Sequence, residues 1–229
     1  MPQRLPIREV TALDLARAGE RVLLAAFDRP VRLRAPSGLP GWTRAHLVAH
    51  LIGNAGALGN LLAWARTGVE TPMYATRAAR AEQIGRDVQR PDDWLVTTMR
   101  ESSASLLDAM TELTPARWDH PVRSALGRSI TAAEVPWMRA RESFVHLVDL
   151  DLGVTFDDLP AEFLEPLLDD ATRTVGGKAG CPALRLVAGP HSWPLAGGGA
   201  EVTGTVADLA AWVTGRSRPA GRPALPAWL

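Results

Sequence analysis

Apolar residues recur three and four positions apart through the first two-thirds of the chain, and that spacing commits most of it to amphipathic helices. "VTALDLARAGERVLLAAF" carries leucines and alanines at this period, with Thr11 as its cap and Pro30 ending it. After the Pro/Gly-rich "RAPSGLPG", Thr43 takes the N-cap position of a second helix, in which Leu47, Val48, Leu51, Ile52, Ala55 and Leu58 extend the pattern to about Arg66. "RTGVETPMYATRAARAEQIGRD" begins as a loop and becomes a polar helix. Two more long helices are predicted, from Trp94 to Leu113 and, after a short polar link containing Gly127, from Ala132 to Leu150. Four principal helices joined by loops are the material of a helix bundle.

Beyond "LGVTFDDLP" the texture changes. A helix from Ala161 to Thr174 is followed by "ALRLVAG", "HSWPLAG" and "AEVTGTV", short apolar runs between Gly and Pro that read as antiparallel strands. "TVADLAAWVTGR" closes the pattern as a helix capped by Thr205 or Asp208 and stopped near Gly215. The expected fold class is therefore two-domain α+β: a helix bundle over residues 1–157, then a small α+β unit with a short antiparallel sheet over 158–229.

Composition narrows the function. Lys plus Arg equals Asp plus Glu, 25 each, without a basic block, so a nucleic-acid partner is not expected. No apolar run approaches the ~20 residues of a membrane span, and "MPQRLPIREV" lacks the apolar core of a secretory signal. The lone Cys181 opens a strand-like run without a neighbouring base and reads as a small buried hydrophobe. A cytoplasmic protein is expected, monomeric or weakly homo-oligomeric, since a bundle can cover its own core.

His46 and His50 stand four residues apart in the apolar helix, so they share one face, about 40° apart and one turn removed. Glu142 and His146 repeat the spacing in "RESFVHLVDL", with Asp149 three residues further on the same stripe. A histidine from one helix and a Glu-x-x-x-His from another can converge in a bundle core on one metal ion. Two imidazoles and a carboxylate suit zinc or another divalent first-row metal and leave a position open for water or substrate. Spacing alone leaves the blander readings standing: a hydrogen-bonded, inert histidine, and a surface pair of Glu142 with Arg139 or Arg141.

"GWTRAHLVAHLIGNAGAL", "LLAWARTGVETPMYATRAAR", "VPWMRARESFVHLVDL" and "VTGTVADLAAWVTGR", in that order, resemble the mycothiol-dependent maleylpyruvate isomerases, metal enzymes of the DinB-like four-helix-bundle superfamily with an added C-terminal α+β domain. The resemblance runs from about Leu13 to the final "PAWL". It implies that His50 in "LVAH" and Glu142 and His146 in "ESFVH" are the metal ligands, while His46 matches a position that is not a ligand and supports the site. It further implies Arg216, closing "WVTGR", as a cofactor-binding and catalytic cation reaching an interdomain cleft, and Arg80 in "ATRAAR" as a second catalytic cation.

The reaction so implied is cis-to-trans isomerisation of maleylpyruvate, a small dicarboxylate, to fumarylpyruvate in the gentisate route of aromatic degradation, with a small thiol as cosubstrate. Zinc deprotonates a bound thiol, and the thiolate adds to the double bond, which rotates as a single bond before elimination. Arginines suit the carboxylates and the developing enolate. The residues do not distinguish mycothiol from ergothioneine or glutathione. Two other readings share parts of the pattern. One is a DinB-like S-transferase that leaves a stable thiol adduct; the other is a non-catalytic module whose C-terminal unit, reminiscent of sterol-carrier-like folds, holds an apolar ligand.

Overall fold

The computed structural model describes residues 11–228, and for Arg77 only the backbone. The segment "MPQRLPIREV", read from sequence as lacking a signal core, lies outside those residues. The chain divides into two compact units, one ending at Gly153 and one beginning at Val154.

The first unit is built on α1 (Ala12–Ala25), α2 (Arg44–Thr67), α4 (Asp92–Glu112) and α5 (Val135–Asp149), with the shorter α3 (Arg77–Asp87) packed on α2. α1 lies against α5, α2 against α4, and α2 also meets α5, which closes the bundle. Thr11 caps α1 through a reciprocal box with Asp14, whose carboxylate returns to the Thr11 backbone. α2 contacts α3, α4 and α5 and is buried around most of its circumference, so its sequence carries no continuous polar stripe. By length and apolar composition α2 meets the requirements of a membrane span, contrary to the sequence expectation, because the polar residues between its ends, His46, His50, Asn54 and Asn60, are few and widely spaced. Most of that apolar stretch is buried inside the unit, as in the core helix of a globular bundle.

A fully buried charge ties the bundle together. Arg139 on α5 has no exposed surface and Glu20 on α1 has 1%. Arg139 Nε donates to Glu20 Oε1 at 2.5 Å, Nη1 donates to the Leu51 carbonyl at 3.0 Å and Asn54 Oδ1 at 2.8 Å on α2, and Nη2 donates to Ser103 Oγ at 3.1 Å on α4. Ser143 Oγ adds a 2.6 Å bond to the same Glu20 oxygen. Burial alone would raise the Glu20 carboxyl; the Arg139 guanidinium outweighs it and holds the group ionised below its ordinary range. Arg139 is therefore not a surface partner of Glu142, as spacing had allowed.

The polar link around Gly127 is a hairpin, β1 (Pro121–Arg123) antiparallel to β2 (Ser129–Thr131). Each strand has three residues and buries one, Val122 or Ile130, too short a run to show a strand period in sequence.

In the second unit, α6 (Ala161–Gly176) and α7 (Val206–Val213) pack together, and α6 also covers the sheet through β4. Thr205 caps α7 by accepting from the Asp208 amide. The sheet order is β4-β3-β5, from β3 (Leu184–Ala188), β4 (His191–Leu195) and β5 (Ala200–Thr203). β3 and β4 pair antiparallel as expected, whereas β5 joins the other side of β3 in parallel. The reason is the "AGGG" linker. Ala196, Gly197 and Gly198 all adopt positive φ, and a Cβ on Gly199 would stand 2.1 Å from the Ala183 carbonyl oxygen. The chain thus crosses tightly beside the start of β3, and β5 sets out from the same end as β3 does.

Arg139→Met strands Glu20 as an unpaired buried carboxylate, which costs about 3–5 kcal/mol. Joining it with Glu20→Met is expected to recover most of that loss, since an apolar pair needs no charge compensation. Denaturant midpoints of the two variants test this, and a single variant as stable as the parent would contradict it.

Candidate metal centre

Two backbone ties set the register in which α2 meets α5. Arg44, at the start of α2, donates from Nε to the Leu150 carbonyl and from Nη2 to the Asp151 carbonyl, both at 2.7 Å, satisfying acceptors that the end of α5 leaves open. The Gly38 amide donates to the Asp149 carbonyl at 2.7 Å. The beginning of α2 is thereby pinned to the end of α5. His50, in the second turn of α2, consequently faces Glu142 and His146 in the last turns of α5.

These three converge. His50 Nε2 is 2.8 Å from Glu142 Oε2, and His146 Nε2 is 3.2 Å from the same oxygen. The rings are edge-on to each other, 4.9 Å between centroids and 89° between planes. One ligand atom from each residue lies within 4.8 Å of the others, so the cluster can hold a metal ion. Two imidazole nitrogens and a carboxylate oxygen are a donor set for a divalent first-row metal. Asp149 is buried and accepts a hydrogen bond from His146 Nδ1 at 2.9 Å, the contact by which ligand imidazoles are commonly oriented.

The charges are strongly coupled. Burial would raise the Glu142 carboxyl, but hydrogen bonds from His146 and His50 overcome it and hold the group well below the ordinary carboxylate range. His50 is pushed down by burial, reinforced by the positive fields of His146 and Arg80, and so stays neutral. His146 moves up: burial opposes its charge, yet Asp149 and Glu142 together outweigh that.

His46 has a different part. Its Nδ1 accepts from the Thr43 amide at 3.2 Å and lies 2.8 Å from Thr43 Oγ1, taking the place of Glu or Gln in a capping box. Its ring lies 5.9 Å from that of Trp42, which stands edge-on to His50 at 6.0 Å. Arg80 reaches the cluster from α3, its Nη2 lying 3.1 Å from His50 Nδ1. Beside it the Gln83 amide lies over the bare backbone of Gly53, where a Cβ would fall 2.1 Å from Gln83 Oε1, and Gln83 Nε2 donates to the Ala49 carbonyl at 3.1 Å, tying α3 to α2. Tyr74 lies close enough to Arg80 for the guanidinium to act on its hydroxyl, but burial outweighs that and raises its pKa. Arg216 belongs to the second unit. There Nη1 donates to the Thr214 carbonyl at 2.7 Å, and the guanidinium carbon lies 5.9 Å from the centre of the Trp228 ring.

Residues 13–151 match the family model of the mycothiol maleylpyruvate isomerase N-terminal domain, a span that includes the whole cluster. This chain belongs to the mycothiol-dependent maleylpyruvate isomerase family. Two solved structures agree over nearly the full length: one of the mycothiol-dependent maleylpyruvate isomerase, with a TM-score of 0.89, and one of a histidine-to-alanine mutant of that isomerase, with 0.88. Each is 35% identical to this chain and covers 98% of both chains. No curated protein sequence matches it. Family membership accounts for the four motifs spread along the chain and for the α+β unit that follows the bundle.

Protons and metal compete for the same imidazole lone pairs. His146, whose pKa is raised, begins to exclude metal above the ordinary histidine value of about 6.5, and His50, whose pKa is lowered, joins only below it. Zinc affinity measured against a competing chelator is expected to fall about tenfold per pH unit once His146 is protonated, and more steeply when His50 follows. An affinity constant from pH 8 to pH 5 would count against these ligands.

Proposed function

We propose that this chain is a metal-dependent cis-trans isomerase that converts maleylpyruvate to fumarylpyruvate with mycothiol as its thiol cosubstrate. The observation that carries the reading is the convergence of His50, Glu142 and His146 in a chain that is 35% identical to the mycothiol-dependent isomerase over 98% of its length. His50 Nε2, His146 Nε2 and one Glu142 oxygen would hold the ion, and zinc fits the mixed nitrogen and oxygen donors. A bound zinc lowers the pKa of a thiol, so a nucleophile exists at neutral pH without a protein cysteine. The half-exposed Cys181, whose thiol burial pushes up, is then not needed for the reaction.

The protein's own residues orient and neutralise. Asp149 fixes the His146 ring. Trp42 forms an aromatic wall beside His50 and limits water there. Arg80, supported by the Tyr74 hydroxyl, offers a guanidinium to a substrate carboxylate next to the ligands. Arg216 is proposed as the second cation, for the thiol cofactor or the developing enolate. Its contacts with Thr214 and Trp228 restrict the side chain and lower the entropy lost when it binds an anion. A reaction that needs free thiol, in a chain with one cysteine, suits a reducing cytoplasm in a route that degrades aromatic compounds such as gentisate.

Metal-replete protein is expected to turn maleylpyruvate into fumarylpyruvate with mycothiol and to consume no net thiol; product spectra and thiol titration measure both. Arg216→Ala should lower kcat/KM by about a hundredfold while leaving bound metal unchanged. His50→Ala should remove metal and activity together. A stable thiol adduct would make the protein a transferase, and no turnover with mycothiol, ergothioneine or glutathione would overturn the reading.

A further inference from the structure

The two histidines of the cluster present opposite faces of their hydrogen-bond chemistry. Asp149 accepts from His146 Nδ1, so the ring proton that a metal on Nε2 would require already sits on the side facing Asp149, while Nε2 lies 3.2 Å from Glu142. At His50 the arrangement is reversed. A guanidinium has donors only, so Nδ1 accepts from Arg80, and the single proton of the neutral ring sits on Nε2, which donates to Glu142 at 2.8 Å. A metal on Nε2 requires that lone pair, and the ring proton must then sit on Nδ1, giving up one proton at Nε2 and taking one at Nδ1 with no net change. Nδ1–H facing Arg80 Nη2 is donor against donor, and the divalent charge repels the guanidinium as well. Arg80 on His50 and a metal on His50 therefore exclude each other.

We propose that Arg80 is a metal-gated carboxylate receptor: latched on His50 Nδ1, it is released when His50 takes a metal through Nε2, and with the Tyr74 hydroxyl it then binds a carboxylate of the dicarboxylate substrate. The naming of the substrate rests on the isomerase reading; the latch does not. Gln83, anchored to the Ala49 carbonyl and lying on Gly53, keeps α3 in place, so a side-chain movement suffices and the helix need not shift. The consequence is an order of binding, metal before carboxylate. A substrate anion is then not captured by Arg80 in an enzyme that cannot react with it.

The test uses the full-length protein with zinc and with maleate as the probe dicarboxylate. In Arg80→Ala, zinc is expected to bind several-fold tighter than in the parent, because a competing contact and a positive charge are gone. Maleate should bind zinc-loaded parent protein about tenfold or more tighter than either the metal-free parent or zinc-loaded Arg80→Ala. Histidine nitrogen NMR should show the His50 proton on Nε2 in the metal-free parent and on Nδ1 once zinc is bound. If Arg80→Ala loosens α3, Arg80→Met keeps the stem and carries the same expectations. Weaker zinc binding in both variants would mean that Arg80 orients His50 as a ligand and would overturn the latch. Equal maleate affinity in loaded parent and loaded variant would also overturn it, by showing that the metal alone holds the anion. Failure of the isomerase reading registers separately, as absence of turnover with every thiol while zinc and maleate binding behave as described.

Discussion

The Arg139 guanidinium is the fixed point of the first unit. It sits on the helix that carries Glu142 and His146, and its donors end on three other helices: Glu20 on α1, Leu51 and Asn54 on α2, and Ser103 on α4. Apolar packing alone tolerates small slides of one helix along another, because many arrangements bury similar area. A planar fork with directed donors does not tolerate them. The Leu51 carbonyl it binds belongs to the residue after His50, so the contact that fixes bundle register also fixes the separation of His50 from Glu142 and His146. Arg44 and Gly38 repeat the constraint at the end of α5.

Around that frame the cluster is a graded arrangement of charge. Glu142 lies between two imidazoles, Asp149 beyond one of them and Arg80 beyond the other. Burial holds His50 neutral, with the Arg80 guanidinium behind it adding to the effect, whereas the Asp149 and Glu142 carboxylates overcome burial at His146 and draw it toward the protonated form, so two chemically identical rings acquire opposite tendencies. Environment differentiates them.

Much of this was legible in the sequence. The four long helices follow from apolar spacing, and the i,i+4 pairs placed His50 with His46 and Glu142 with His146 before any fold was known. Spacing left the roles within the first pair open. His46 serves its own helix end, because the residue three positions after an N-cap is where a side chain can reach back to the cap. Arg139 was not legible as a core residue. An arginine two residues from Arg141 and three from Glu142 reads as solvated, and its burial depends on Glu20, more than a hundred residues earlier. The hairpin at Val122 and Ile130 was too short to carry a period. The parallel placement of β5 depends on three successive left-handed residues, a backbone property that a run of glycines permits without specifying.

That same crossover shapes the rim of the small sheet. With β3 paired on both sides, the two outer strands are the edges of the sheet, and among the described residues neither pairs with any strand but β3. One of them contains Pro194, which has no N–H to offer, and the other is four residues long, carries Glu201 and runs directly into Gly204 and the cap of α7. Rims of this kind give a stray strand little to pair with. The tight turn at Ala196–Gly198 thus leaves the most hydrophobic of the three strands innermost and protects the unit against edge-to-edge aggregation.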